Sequence, residues 1–194
     1  MTPLAGKVIW ALGVVGWFLI RYPHDRRSRR TPRLTRRDRA REIVLMAISA
    51  TGLLLLPLVY VFGDQPHFAN YPVQAWQPWL GAVIFAAALW LFRGTHKDLG
   101  RNWSVTLEVR EQHTLVTSGV YSRVRHPMYA AFWLWALAQA VLLPNWIAGP
   151  AGLVGFGTLF ALRVGHEEQL MLETFGEEYR RYMARTSRIL PGVY

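Results

Sequence analysis

The sequence predicts an all-α integral membrane protein of about five transmembrane helices. Of its 194 residues 52% are hydrophobic, and these gather into five nearly uncharged stretches, 4–20, 43–62, 79–92, 129–143 and 147–162. A bilayer core needs roughly 20 apolar residues per spanning helix, with about 17 as a lower limit. The first two stretches meet or approach that length; the other three reach it with tilt or with flanking side chains that snorkel. Arginine is unevenly placed. Residues 21–41 carry ten Arg against Asp25 and Asp38, a net of +8, whereas 63–78 contain no Lys or Arg. The positive-inside rule therefore sets the N-terminus outside, with the segments 21–41 and 93–125 and the tail after Leu162 in the cytoplasm. Trp10, Trp76, Trp79, Trp90, Trp103 and Trp146 fall near segment ends, where an interfacial aromatic belt would place them.

Each element follows in turn. The first segment reads as a retained anchor, because its charges follow the apolar run and no small-residue cleavage site is evident. The Arg-rich stretch is expected to be extended around Pro23 and Pro32 and helical into the second segment. Residues 96–121 form a polar connector with a strand-like piece at 104–109, broken by Gly100 and Gly119. Pro127 stands at a helix start, where its missing N–H costs nothing. Only a few residues around Pro144-Asn145 join the fourth and fifth segments, so these form an antiparallel hairpin. Gly152, Gly155 and Gly157 in the fifth segment suit close helix packing. After Gly165, residues 167–186 read as an amphipathic helix with Leu170, Met171, Phe175, Tyr179, Tyr182 and Met183 on one face. The chain thus divides into an anchor, 1–95, and a chemistry-bearing region, 96–194.

Several functions are disfavoured. The net charge of +10 comes mostly from one juxtamembrane segment. Attraction to anionic headgroups accounts for it, and no groove-reading motif points to nucleic acid. The absence of cysteine excludes disulfides, thiolate metal sites and a cysteine nucleophile. His166-Glu167-Glu168-Gln169-Leu170 begins like a zinc-protease motif, but Leu170 stands where the second His is needed. With six scattered histidines, no metal is expected. No glycine-rich dinucleotide or phosphate loop occurs.

Two polar clusters remain, Arg123-Val124-Arg125-His126-Pro127-Met128-Tyr129 and Arg163-Val164-Gly165-His166-Glu167-Glu168. Singly, each has a bland reading. Arg125, His126 and Tyr129 could anchor the membrane edge, Arg163 could snorkel, and Glu167 and Glu168 could face a helix N-terminus. The hairpin brings Tyr129 and Arg163 to one end, which raises the odds of a shared ligand. A membrane enzyme would build a site for a polar cofactor and a lipid in this way.

These residues carry a resemblance. His113-Thr114-Leu115-Val116-Thr117-Ser118-Gly119-Val120-Tyr121, then Arg125-His126-Pro127-Met128-Tyr129, then Arg163, Glu167-Glu168 and Phe175-Gly176-Glu177-Glu178-Tyr179 resemble the isoprenylcysteine carboxyl methyltransferase family. Related phospholipid methyltransferases share a looser form of the pattern. The resemblance implies a cytoplasmic pocket, formed by the C-terminal half, for S-adenosyl-L-methionine. It implies that His113, Thr114, Leu115 and Val116 hold the adenosine end, that Tyr121, His126, Pro127, Met128 and Tyr129 enclose the cofactor, and that Glu167 binds its amino-acid end. It implies Arg163 as the residue facing the acceptor carboxylate, Arg163 and Glu167 as the catalytic pair, and a lipidic or prenylated substrate entering between helices. Such a carboxylate is already nucleophilic at neutral pH, so methylation needs alignment and exclusion of water rather than a base. Methylation of an amine headgroup, a sterol-reductase-like oxidoreductase and a non-enzymatic scaffold remain as alternatives.

Overall fold

The computed structural model describes residues 3–28, 39–100 and 114–192. A helix runs through each of the five apolar segments, the fifth only from residue 151: α1 (Pro3–Ser28), a rod of α2 (Arg39–Ala50) and α3 (Leu56–Gly63) joined by a π-turn at Thr51–Leu55, α4 (Gln77–Leu99), α5 (Pro127–Leu142) and α6 (Ala151–Phe175). A short α7 (Glu177–Arg185) follows. No strand occurs among the described residues, only isolated bridges. The strand-like piece 104–109 and His113 lie outside them.

Residues 3–24, 40–63 and 77–99 form helices long and apolar enough to cross a membrane. The other two differ for identifiable reasons. α5 has only 16 residues, and α6 carries Arg163, His166, Glu167 and Glu168 from its midpoint onward. Exposed Leu12, Phe18, Val83, Trp90 and Val154 give the bundle an apolar outer face.

Buried polar groups fix the helices against one another. Pro57 has no N–H to offer the Leu53 carbonyl, and the turn ahead of it is wide, with the Leu56 N–H reaching Thr51 O. Gln139, fully buried on α5, donates through Nε2 to Gly52 O of this turn at 3.0 Å and to Ala148 O at 2.8 Å. α6 crosses at the same level. A Cβ on Gly155 would stand 2.8 Å from Ile48 O, so only glycine allows this approach. In the α5–α6 turn Asn145 accepts from the Ile147 and Ala148 N–H groups and donates to Pro66 O and Asn70 Oδ1. α1 is tied to that end by Lys7, 2.5 Å from Asp64 Oδ1 and 4.4 Å above the Tyr60 ring. Trp10, Phe85, Trp135, Leu142 and Phe156 fill the core between the helices.

Two expectations are corrected. α1 runs on as helix through Pro23 to Ser28, where an extended stretch was expected: the missing Pro23 N–H leaves one bond to the Leu19 carbonyl unmade without ending the helix. No helix begins at Glu167: α6 runs on through Gly165 and ends at Gly176, whose φ of +53° only glycine adopts readily. Gly165 has no neighbour that a Cβ would meet, and one glycine costs a long helix only about 1 kcal/mol. Glu167 and Glu168 therefore lie inside a helix, where consecutive side chains point about 100° apart.

Candidate active site

That divergence separates the two carboxylates. Glu168 turns toward the segment before α5 and the segment after α7, and is only 4% exposed. Its Oε1 accepts from Arg125 Nε at 3.0 Å and lies 3.2 Å from His126 Nε2. Its Oε2 accepts from Arg188 Nε at 3.0 Å and Nη2 at 2.8 Å. Burial acts to raise this carboxyl, but hydrogen bonds from His126, Arg188 and Arg125 outweigh it and hold the pKa at about 2. The backbone completes the clasp. Arg125 N donates to Ser187 O at 2.8 Å and His126 N to Arg188 O at 2.9 Å, while Arg125 Nη1 also binds the Met183 and Thr186 carbonyls. Tyr182 of α7 donates to Tyr121 O at 2.6 Å. Arg125 and Glu168 thus build the floor that fixes the loop before α5.

Glu167 turns the other way, into a cavity of about 400 Å³. Its Oε2 accepts the Tyr129 hydroxyl at 2.5 Å and lies 4.0 Å from Arg163 Nε, one helical turn earlier. Its Oε1 lies 3.8 Å from His126 Nδ1, and the His126 and Tyr129 rings stack with centroids 5.4 Å apart. Arg163 is gripped from a second side: Glu42 of α2 places Oε2 3.4 Å from its Nη2. Along α6, Leu159, Arg163, Glu167 and Leu170 all reach the cavity. The cavity wall combines apolar side chains, Met46, Leu53, Phe132, Trp135, Phe156 and Leu159, with Thr114, Leu115, Val116, Tyr121, His126 and Tyr129.

Of the residues expected at the site, Thr114, Leu115, Val116, Tyr121, His126, Met128, Tyr129, Arg163 and Glu167 share this wall. Pro127 is fully buried at the first position of α5 and forms no part of the wall, and His113 lies outside the described residues. Residues 1–95 contribute more than their composition suggests. Trp17 and Arg21 of α1 line the cavity, with the Arg21 guanidinium 5.3 Å over the Trp17 ring, and Glu42 backs Arg163. The signal for Glu42 is a carboxylate one residue ahead of an apolar stretch, a costly place for an unpaired charge.

The chain is similar in sequence and in fold to known proteins. The Isoprenylcysteine carboxyl methyltransferase (ICMT) family profile matches residues 79–173. Protein-S-isoprenylcysteine O-methyltransferase A of Arabidopsis thaliana is 33% identical over 142 residues, 72% of this chain and 72% of that protein. Protein-S-isoprenylcysteine O-methyltransferase of Dictyostelium discoideum is 30% identical over 122 residues, 60% of this chain. The chain spans about half the length of several such relatives. In fold, it is similar to the eukaryotic intramembrane Ras methyltransferase ICMT, with a TM-score of 0.54 at 21% identity over 82% of this chain and 55% of that one.

Proposed function

Since the chain belongs to the isoprenylcysteine carboxyl methyltransferase family, we propose that it is a multi-pass membrane methyltransferase that uses S-adenosyl-L-methionine to esterify the carboxylate of a lipidic, isoprenylcysteine-like acceptor. The observation that carries the reading is the position of Arg163, one turn from apolar Leu159 on one side and one turn from Glu167 on the other. A prenyl chain among Met46, Leu53, Phe132 and Phe156 brings its carboxylate toward this guanidinium. There a planar donor orients the carboxylate by two parallel hydrogen bonds.

The donor set beside Arg163 fits a cationic cofactor. Glu167 offers a carboxylate for an ammonium, and Tyr121 and Tyr129 offer ring faces worth about 0.5–2 kcal/mol to a nearby cation. When bound, S-adenosylmethionine supplies an electrophilic methyl group: the acceptor oxygen bonds to that carbon as the carbon–sulfur bond breaks, and no proton moves. The protein's own part is positioning. Tyr129 and Arg163 restrain Glu167, His126 stacks on Tyr129, and the Glu168 floor fixes His126. The apolar wall excludes water that would weaken each of these contacts. In this reading the site faces the cytoplasm, the N-terminus lies outside, and membrane lipids and a prenylated substrate are the partners.

The test is equilibrium binding of S-adenosylhomocysteine to detergent-solubilised protein, followed by methyl transfer to an acceptor panel. Binding, with transfer to an N-acetyl-S-prenylcysteine, is expected. Transfer only to an amine-headgroup lipid would replace carboxyl with amine methylation, and absence of binding would overturn the enzyme reading.

A further inference from the structure

Glu42 has no role in the chemistry above, yet it is 7% exposed and lies 3.4 Å from the one guanidinium assigned to the acceptor. It does not line the cavity but stands behind Arg163, and its Oε2 accepts no hydrogen bond among the described residues. The neighbouring Arg41 is engaged elsewhere, 2.7 Å from His166 Nε2 and 2.8 Å from Leu162 O. Glu167 Oε2, the other carboxylate oxygen near Arg163, accepts the Tyr129 hydroxyl. Among the described residues two carboxylates therefore flank Arg163, and the Glu42 contact lacks the hydrogen-bond geometry that would lock it.

We infer that Glu42 is the resting counter-ion of Arg163, a positioning residue that sets how strongly the site distinguishes acid acceptor from ester product. The inference rests on the carboxyl-methyltransferase reading. The acceptor arrives with a full negative charge and leaves with none, and its charge is already partly dispersed in the transition state. A buried guanidinium lacking a second carboxylate would hold the ground-state acid more tightly than the transition state, lowering KM at the expense of kcat. Glu42 offsets that attraction and neutralises Arg163 once the ester has formed.

The test uses the full chain in detergent, with N-acetyl-S-farnesylcysteine as substrate and its methyl ester as competing product. Glu42→Gln should lower KM for the acid by about tenfold and lower kcat, while the inhibition constant of the uncharged ester stays within about twofold. Glu42→Asp, which retracts the charge but keeps it, should shift acid over ester in the same direction and less far. That variant also decides the matter if Glu42→Gln does not accumulate folded. Parallel changes for acid and ester, or lost turnover at unchanged KM, would show a merely structural role and overturn the inference. If wild-type protein binds S-adenosylhomocysteine yet does not methylate the acid, the acceptor assignment itself fails and the inference with it.

Discussion

Removing one buried charge, with Glu168→Gln, tests the floor of the site. Glu168 is 4% exposed and is met by Arg125, His126 and Arg188 at 2.8–3.2 Å. Its pKa of about 2, against an ordinary 4.5, corresponds to about 3 kcal/mol of stabilisation. Breaking a buried pair by removing one partner costs about 3–5 kcal/mol, so the two magnitudes agree. The sign follows from the direction of the shift. The unfolded chain takes up this proton more readily than the folded one, so the stabilisation is complete well above 4.5 and is lost as pH falls toward 2. The assay is thermal unfolding in detergent at pH 7 and pH 3.5. Glu168→Gln should unfold about 6–12 °C below wild type at pH 7. About half of that difference should remain at pH 3.5. An equal gap at both pH values would refute the electrostatic account, and no gap at pH 7 would refute the floor itself.

Glu167→Ala should weaken S-adenosylhomocysteine binding by about 1.5–3 kcal/mol in calorimetry, whereas Glu177→Ala, on the exposed face of α7, should change it little. Equal effects at the two positions would mean Glu167 is misassigned. Gly52→Ala should destabilise the fold by about 1–3 kcal/mol, because its Cβ would stand 2.2 Å from Ala151 O. Gly165→Ala meets nothing within 4 Å and should stabilise α6 by about 0.5–1 kcal/mol. A reversed order in chemical denaturation would contradict the α2–α6 crossing. Single cysteines at Asn70 and Arg30 should label from opposite sides of the membrane; same-side labelling would overturn the proposed orientation.

The helices were legible in the sequence because apolar stretches are long-range signals, and the hairpin was legible because Pro144-Asn145 leaves no room for another path. The pairing of Tyr129 with Glu167 follows from that hairpin, since both residues lie at its open end. Local propensity misled at Gly165, where packing along α6 carries the helix past a glycine that looked like a break. It was also silent on the different tasks of Glu167 and Glu168, which depend on helical phase and on partners as distant as Arg188. The contributions of Trp17 and Arg21 were not legible, because nothing local in α1 reveals which face lines the cavity, and the charge at Glu42 shows that a partner is needed without showing that it is Arg163. The π-turn before Pro57 and its tether to Gln139 likewise need the tertiary neighbour that takes up the Gly52 carbonyl.

The central claim is that Arg163 orients an acceptor carboxylate beside a bound methyl donor, and the most direct measurement separates turnover from cofactor affinity at this residue. Arg163→Ala should abolish methyl transfer to a prenylcysteine while S-adenosylhomocysteine affinity stays within about threefold of wild type, because the cofactor is assigned to Glu167 and the tyrosines. Arg163→Lys should restore little turnover, since a point charge does not reproduce a planar two-pronged contact. Full turnover in the Lys variant, or a loss of cofactor affinity in the Ala variant as large as its loss of turnover, would contradict this role and reduce Arg163 to an anchor at the membrane edge.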